Sequence, residues 1–334
     1  MVMVAALVLH GCATTYSVVE FEVLEPATIN FPPDVQRLIL LDRAPVTLDA
    51  FDPKDRAGMT REHLEIIDTI ISNALMEGIK EILGDFPYKQ FSDPIMLKEL
   101  RTDTAGLKDL ILTKREVADM CAEYDGDAVI SLEYYSLDLN EHRENYPGYS
   151  DDTFYETLYA HYYIISNETR WIIYLPGSPA PFDTYRMKDT LYFTDYIEGE
   201  FKPIPDVPGM IRETFKYSGE KYGRYLVPVW SRASRILFRG RDAALKEAGK
   251  YTDQGAWDEA FAIWKGLTGS EDSSLVSKAY HNMAVYYELE DKLDSADLLA
   301  GMAVRFDTLE IFQNYKEELD TRIENKREIQ KQLE

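Results

Sequence analysis

The stretch YTDQGAWDEAFAIW, residues 251–264, spaces small and large residues at regular intervals. Trp257, Ala260 and Trp264 recur three and four residues apart, which is the spacing of one face of an α-helix. A similar order returns thirty-six residues later in the chain. The first copy comprises Ala248, Tyr251, Gly255, Trp257, Ala260 and Trp264, and the second comprises Ala284, Tyr287, Asp291, Leu293, Ala296 and Ala300. The spacing therefore predicts two copies of one helical pair in the C-terminal part of the chain.

The two copies resemble tetratricopeptide repeats, in which small residues lie where paired helices touch and large residues wedge between neighbouring pairs. The connection over residues 266–274 can absorb the excess over the usual period of about 34 residues. A last helix opens at Asp307, and its inner face is predicted to carry Phe312, Tyr315, Leu319 and Ile323. The resemblance implies a short solenoid with a terminal capping helix. Because fewer than three repeats do not stand alone, we expect helices between residues 208 and 238 to support them.

The N-terminal half alternates between strand and helix patterns. Residues 36–42 form a short apolar run that is typical of a central strand. Residues 61–83 carry apolar side chains every three or four positions over a wide stripe, which predicts a helix pressed onto a sheet. Residues 125–127, Asp-Gly-Asp, favour a turn before a strand at residues 128–134. Two carboxylates are too few for a usual calcium loop, so the turn is the preferred interpretation.

A tyrosine-rich region follows, with twelve of the 23 tyrosines between positions 134 and 196. Alternating patterns over residues 154–196 predict antiparallel strands, with residues 167–169 as a turn between two of them. The tyrosines could form a stacking surface for sugars, but tyrosine is also a favoured strand residue, which is the preferred interpretation. We expect an α/β or α+β N-terminal domain, a mixed sheet with packed helices and a β-hairpin region, followed by an all-α tetratricopeptide-like domain.

The predicted domain boundaries follow from changes in composition. An apolar leader over residues 1–12 precedes the α/β domain, which is predicted over residues 13–202. The proline-rich residues 203–209 are predicted to be a linker, and residues 210–334 to be the helical domain.

One of the two cysteines follows an apolar run at the start of the chain. Residues 1–9 carry no charge, and Leu9, Gly11 and Cys12 resemble the lipobox of bacterial lipoproteins. The resemblance implies that residues 1–12 are a lipoprotein signal and lipobox, with cleavage before Cys12 and lipidation of its thiol. His10 departs from the pattern, as does the lack of a basic residue before the run, which would be explained by a start codon further upstream. The alternative is an ordinary buried strand.

The other cysteine lies on a predicted helix. Thr113 and Glu116 have the spacing of a capping box, which marks the start of that helix. Cys121 falls on the apolar face, so we interpret it as a core residue. If Cys12 is lipidated, Cys121 has no intramolecular disulfide to form.

The composition limits the classes of partner and reaction. A formal net charge of −23 repels nucleic acids and anionic lipid surfaces, so nucleic acid is not an expected partner. The five histidines show no HExxH spacing, residues 141–144 are interpreted as a solvated polar loop, and no nucleophile elbow or phosphate-binding loop is found. We therefore expect no enzyme, no metal and no cofactor. A glycosidase pair of carboxylates would leave no local signature, so that alternative stays open.

Two resemblances place the chain in the bacterial envelope. The order of strands and helices in the N-terminal half is similar to small α/β domains of envelope lipoproteins, including activators of cell-wall synthases. Tyr222, Tyr225, Pro228, Trp230 and Arg235, followed by the first repeat, resemble an uncharacterised family of Bacteroidota lipoproteins with a tetratricopeptide-like C-terminal region. The resemblance implies a lipid anchor at the outer membrane. Because Bacteroidota surface-export signals are acidic and residues 13–17 contain no acid, the periplasmic face is favoured.

Two functions are consistent with these patterns. The leading hypothesis is a lipid-anchored scaffold or protein-interaction module, in which the solenoid groove or the tyrosine-rich sheet receives an envelope protein. The alternative is a glycan-binding or glycan-processing envelope protein that uses the tyrosine-rich strands.

Overall fold

The protein is described here by a computed structural model, in residues 16–44, 60–84, 86, 89–97, 111–147, 157–194, 196–197, 200–201, 206–240 and 242–333. The chain forms two compact units. Ala27–Val227 form the first, here called the α/β unit, and Pro228–Glu334 form the second together with the described residues up to Pro26, here called the helical unit. The predicted fold class, a mixed sheet with packed helices followed by a helical C-terminal part, is confirmed.

The described elements have the following bounds. The strands are β1 Tyr16–Glu25, β2 Arg37–Asp42, β3 Gln90–Phe91, β4 Ile95–Met96, β5 Ala128–Pro147, β6 Thr157–Tyr174, β7 Asp183–Thr194, β8 Tyr196–Ile197, β9 Glu200–Phe201 and β10 Val229–Phe238. The helices are α1 Arg61–Gly84, α2 Lys114–Glu123, α3 Val207–Leu226, α4 Ala243–Asp253, α5 Trp257–Leu267, α6 Ser273–Leu289, α7 Leu293–Phe306 and α8 Glu310–Leu333.

A mixed sheet organises the α/β unit. Its strand order is β3-β2-β5-β6-β7, with β4 also paired to β2. Strand β2 runs parallel to β3, β4 and β5, whereas β5, β6 and β7 are antiparallel to their neighbours. The central strand β2 is buried on both faces, as its continuous apolar sequence predicts.

Two predictions for the tyrosine-rich region were wrong. Residues 167–169 lie within β6, where Asn167 pairs with Leu137 on one side and Asp189 on the other. The turn signal of Asn167 is overridden because its side-chain amide bonds to Ser218 instead of to its own backbone. Residues 141–144 are likewise not a loop, because β5 runs on to Pro147 and His142 stacks on Tyr162 with ring centroids 5.0 Å apart.

Helices cover both faces of this sheet. Helices α1 and α3 cross at two glycines: a Cβ atom at Gly78 would lie 2.1 Å from the carbonyl oxygen of Lys216, and one at Gly219 would lie 2.2 Å from that of Leu75. Helix α3 contacts the sheet through Tyr222, whose ring stacks on Trp171 at 4.4 Å. Only glycine permits so close an approach of two helices.

Helix α2 packs on the opposite face of the sheet from α1 and α3. The predicted capping box is confirmed, since the Thr113 hydroxyl accepts from the Glu116 amide and the Glu116 carboxylate accepts from the Thr113 amide. Cys121 lies in the core with Ile39, and burial raises the pKa of its thiol. The turn at 125–127 is also confirmed: Asp125 has a φ of 52°, and the Asp127 carboxylate accepts from the backbone of Arg37.

A two-stranded ribbon and five helices make the helical unit. Strands β1 and β10 pair in antiparallel register from Tyr16 opposite Phe238 to Glu25 opposite Val229. The prediction that residues 210–238 are helical was wrong for 229–238. Pro228 follows α3, and side chains of β10 then alternate between more and less exposed positions, as strand residues do.

The two units divide at other positions than the linker predicted at 203–209. Helix α3 begins at Val207, is capped by the Asp206 carboxylate, and belongs to the α/β unit. The helical unit includes β1, which begins four residues after Cys12 at the end of the predicted signal. Because β1 and β10 are more than 200 residues apart in sequence, their pairing leaves no local signal that composition could reveal.

Within the described residues, no helix combines the length and the apolar character needed to cross a membrane.

Candidate interaction site

The predicted repeat residues meet in one core of the helical unit. Six of them are buried, namely Ala248, Ala260, Trp264, Ala284, Leu293 and Ala296, and Tyr251, Trp257 and Tyr287 pack against the same core. Ala300 is buried there as well. Gly255 has a φ of 75° in the turn between α4 and α5, and Asp291 has a φ of 56° in the turn between α6 and α7. Cys12 lies outside the described residues.

Helix α6 binds the backbone of β10 through two adjacent side chains. The Asn282 side chain accepts a hydrogen bond from the Phe238 amide and donates one to the Phe238 carbonyl oxygen, each at 2.8 Å. The His281 Nε2 atom lies 2.9 Å from the carbonyl oxygen of Ile236. Side-chain contacts to backbone groups recognise an extended chain without regard to its side chains. The inner face of these helices therefore holds a strand supplied by the protein itself.

Burial fixes the protonation state of this histidine. His281 is buried, which lowers its pKa to about 4, and it is neutral near pH 7. Its Nε2 atom must carry the proton, because a carbonyl oxygen only accepts. The Nδ1 atom has no hydrogen-bond partner among the described residues.

A buried ion-pair network joins β10 to α6 and α8. Glu288 is completely buried, and its carboxylate accepts from Arg235 at 2.9 and 3.0 Å. Arg322 lies 2.8 Å from the same carboxylate, and the Tyr315 hydroxyl donates to it at 3.1 Å. Burial, followed by the charge of Glu288, raises the pKa of Tyr315 well above its ordinary value. A buried carboxylate is tolerated here because two guanidinium groups and a hydroxyl surround it.

A groove of about 880 Å³ runs along the other strand of the ribbon, and we call it the β1 groove. Strand β1, the start of β10, the α6–α7 turn and the C-terminal half of α8 form its walls. The lining residues are Glu20, Phe21, Glu22, Val23, Leu24, Trp230, Arg232, Leu289, Asp291, Leu293, Arg322, Lys326, Ile329 and Gln330. Half of this lining is apolar, including Trp230, whose surface is 60% exposed. Exposed tryptophan beside a concave apolar surface is typical of binding sites.

The outer edge of β1 faces solvent-accessible space. Phe238 and Ile236 direct backbone groups away from β1 towards α6, so their partners Tyr16 and Val18 occupy non-hydrogen-bonded positions of the ribbon. Antiparallel pairs alternate, and the backbone groups of Glu20 and Glu22 therefore also point outward. In the part of the chain that the structure describes, no strand pairs with this edge.

Most charges around the groove are matched within the helical unit. Lys326 lies 2.5 Å from Asp291, and Arg322 lies 3.7 Å from the same residue in addition to its contact with Glu288. Arg232 lies 3.8 Å from Glu20, which is a loose pair. The charges of Lys326 and Arg322 are thus neutralised by acidic residues of the same unit. The acidic pair Glu20 and Glu22, in contrast, lies on the exposed face of β1.

The described tyrosines of strands β5 to β7 differ in exposure: Tyr135 and Tyr174 are buried, whereas Tyr192 is 70% exposed. Tyr222 stacks between Trp171 and Tyr225, and burial raises its pKa well above the ordinary value. The acids nearby are used internally: Asp183 accepts from Tyr225 at 3.0 Å, and Asp189 accepts from Ser218 at 3.0 Å. These groups stabilise the contact of α3 with the sheet.

In the described part of the chain, no group of three His, Cys, Asp or Glu side chains is arranged to hold an ion.

The sequence analysis missed the ribbon and the two residues that hold it. His281 and Asn282 lie on α6 between repeat positions and carry no motif. The alternation in residues 229–238, Val-Trp-Ser-Arg-Ala-Ser-Arg-Ile-Leu-Phe, is the one available signal for β10.

Comparisons with known proteins show what the chain resembles. Residues 35–238 match the family described as "Domain of unknown function (DUF8603)", and residues 246–321 match "Domain of unknown function (DUF6340)". Neither description names an enzyme. No curated protein matches the chain. Among solved structures, a neuraminyllactose-binding hemagglutinin homolog from Helicobacter pylori aligns with a TM-score of 0.30 and 11% identity, over 59% of this chain and 83% of that one. This TM-score is too low to support a conclusion about fold or function.

Proposed function

The chain belongs to the family described as a domain of unknown function (DUF8603), and from this premise we propose that it is a non-catalytic protein-interaction module of the bacterial cell envelope. In this proposal the helical unit receives a segment of a partner protein in the β1 groove. The observation that carries the proposal is the groove itself: a concave volume of about 880 Å³, with half of its lining residues apolar, lies beside an unpaired strand edge and has an exposed tryptophan at its rim.

The repeat packing supports the same proposal. Helical repeats stack into scaffolds that present a concave face to extended peptides. Here Asn282 and His281 already bind one extended strand through backbone contacts. We propose that the two helical pairs are tetratricopeptide-like. In this proposal β10 occupies their concave face, and β1, which pairs with β10, offers its free edge to a strand of the partner.

The proposal places the protein at the periplasmic face of the outer membrane. Its support is the lipobox-like residues Leu9, Gly11 and Cys12, together with the lack of acidic residues at 13–17. A lipid on Cys12 would tether the adjacent β1, so the groove would lie within a short distance of the membrane surface. The partner is accordingly proposed to be another envelope protein.

The test is site-specific crosslinking in intact cells. A photo-crosslinking amino acid at Trp230, on the rim of the groove, is expected to give one discrete adduct that mass spectrometry identifies. The same amino acid at Leu298, which is 68% exposed on α7 outside the groove, is the matched control and should not give that adduct.

Reconstitution then decides whether the adduct is functional. The identified protein, purified, is expected to bind the chain, and Trp230→Ala is expected to weaken that binding by about tenfold or more because a rim tryptophan contributes strongly to such contacts. Leu298→Ala should leave the affinity unchanged. Equal affinity of the Trp230→Ala and wild-type proteins would refute the proposal.

A further inference from the structure

We propose that the β1 groove binds its partner by strand addition: an extended segment with alternate basic residues pairs in antiparallel register with the outer edge of β1. This inference rests on the proposed function and names the chemistry of the partner. Three features together support it: an unpaired strand edge, an acidic pair on the exposed face of that strand, and a groove beside the edge with half of its lining residues apolar.

The edge supplies the backbone contacts. Glu20 and Glu22 direct their N–H and C=O groups away from β10, so each can exchange two hydrogen bonds with one residue of an incoming antiparallel strand. An unpaired strand edge is a template for another chain unless it is blocked. Strand β1 contains no proline or glycine that would block it.

The two faces of β1 define which side chains the partner needs. Even-numbered residues of β1, including Glu20 and Glu22, lie on the face that carries Trp230 and Arg232 in β10. Phe21 lies on the opposite face, over which the guanidinium of Arg322 is placed 5.2 Å from the ring centre. The same face carries Val19, which is buried in one core with Leu293 of the groove lining, so residues of the incoming strand that point to this face should be apolar.

Within the β1–β10 ribbon, an arginine already pairs with the two glutamates of β1. Arg232 of β10 lies directly opposite Glu22, and Arg232 also approaches Glu20. An incoming strand on the other side of β1 meets the same two carboxylates. Opposite charges on directly paired residues stabilise a sheet, and the net charge of −23 adds a long-range attraction for a basic segment.

The same charges disfavour a second copy of this chain as the occupant. Antiparallel pairing of two β1 strands about Phe21 would place Glu20 of one copy opposite Glu22 of the other. Like charges directly opposite one another destabilise the pair. A basic extended segment of another protein is thus the occupant that the edge selects.

The experiment uses the full chain and synthetic peptides in isothermal titration calorimetry. The test peptide is acetylated Thr-Val-Lys-Val-Lys-Val-Thr amide, which places both lysines on one face and the valines on the other. The comparison peptide carries glutamate in place of both lysines. We expect the lysine peptide to bind about tenfold or more tightly than the glutamate peptide.

Charge reversal on the protein provides the decisive comparison. In the double variant Glu20→Lys/Glu22→Lys, the preference should invert, so that the glutamate peptide binds more tightly. The double variant Glu247→Lys/Glu259→Lys changes the net charge equally on exposed helix positions and is the matched control, for which the wild-type preference should persist.

Backbone methylation tests the strand geometry. N-methylation of both lysines removes the donors that face β1 and should abolish binding, whereas N-methylation of the two outer valines, whose N–H groups point away, should not.

Two results would overturn strand addition: binding that is unchanged by both charge reversal and lysine methylation, or no binding of the lysine peptide at about 1 mM. Crosslinking through Trp230 could still succeed in that case, so failure of this inference is distinguishable from failure of the proposed function. Dimerisation of the chain through β1, detected by sedimentation, would also overturn it.

Discussion

The Asn282 side chain satisfies both backbone groups of Phe238, accepting from its amide and donating to its carbonyl oxygen at 2.8 Å each. Asn282 and the Phe238 backbone are buried together, so water cannot replace either bond. The contact fixes the position of β10 on α6 and, through β10, that of β1.

Replacement of Asn282 by alanine should destabilise the protein strongly. The Phe238 amide and carbonyl would stay buried without partners, and we expect a loss of about 3 kcal/mol in the free energy of unfolding. Urea denaturation measures the change. Asn314→Ala on the exposed face of α8 is the control and should cost less than about 0.5 kcal/mol. A loss for Asn282→Ala as small as that of the control would contradict the importance of this contact.

Neutral His281 predicts a specific dependence of stability on pH. Burial lowers its pKa to about 4, with Glu288 and Arg235 as the charged groups near it, whereas an unfolded chain titrates near about 6.5. Between these values the unfolded chain takes up a proton that the folded chain does not. The contribution of His281 to the free energy of unfolding should therefore be fully present above about pH 6.5. It should be lost as the pH drops to about 4, which lowers the free energy of unfolding by up to about 3 kcal/mol.

Two histidine variants separate this contribution from that of the carboxylates, which also titrate in acid. His281→Gln should flatten the decline in unfolding free energy between about pH 6.5 and 4, as measured by urea denaturation at several pH values. His63→Gln replaces an exposed histidine on α1 and should leave the decline as in the wild type. Identical pH profiles for the two variants would show that His281 is not the group responsible.

Local patterns predicted much of this fold. The capping box at Thr113, the turn at 125–127 and the apolar stripe of α8 depend on residues close in sequence, and each is found where it was predicted. Propensities and caps act over a few residues, so a short window contains the physical cause.

Long-range contacts explain what the sequence did not reveal. Residues 167–169 have turn-forming side chains, yet Ser218 on α3 holds Asn167 within a strand. The candidate site depends even more on distant contacts, because β10 pairs with β1 and is held by Asn282 on α6. Both β1 and α6 are distant in sequence from residues 229–238, so the residues next to β10 in sequence do not indicate this pairing. The glutamates of β1 likewise indicate a binding edge only when the groove beside them is seen in the structure.

The helix-pair contact at Ala260 predicts a large effect of a charged substitution. Ala260 is completely buried in the core of the helical unit. Ala260→Glu should overpack that core and bury a carboxylate, at a cost of several kcal/mol, roughly 3 or more. Ala262→Glu, at an exposed position of the same helix, controls for helix propensity and charge. A thermal midpoint of Ala260→Glu within a degree of the wild type would contradict the repeat packing.

The close crossing of α1 and α3 predicts that Gly219 tolerates no side chain. The Cβ atom of Gly219→Ala would lie 2.2 Å from the backbone oxygen of Leu75, which cannot rotate away. We expect a loss of about 2 kcal/mol, because the two helices must separate. Gly266→Ala, in α5 with no atom near the added methyl, should instead stabilise the protein by about 0.5 kcal/mol. Equal effects of the two substitutions would refute close helix packing as the reason for glycine at position 219.

Removal of the thiol at position 12 tests the proposed anchor. If Cys12 is lipidated, Cys12→Ser should lose incorporation of a labelled fatty acid and move from the membrane fraction to the soluble periplasmic fraction, because each buried methylene contributes about 0.8 kcal/mol to membrane binding. Cys121→Ala is the matched control: it removes the buried thiol on α2 and should retain both the label and the membrane association. Since the mature chain would then begin four residues before β1, the same lipid would also hold the β1 groove near the membrane. Fatty-acid labelling that persists in Cys12→Ser would exclude Cys12 as the lipidated residue.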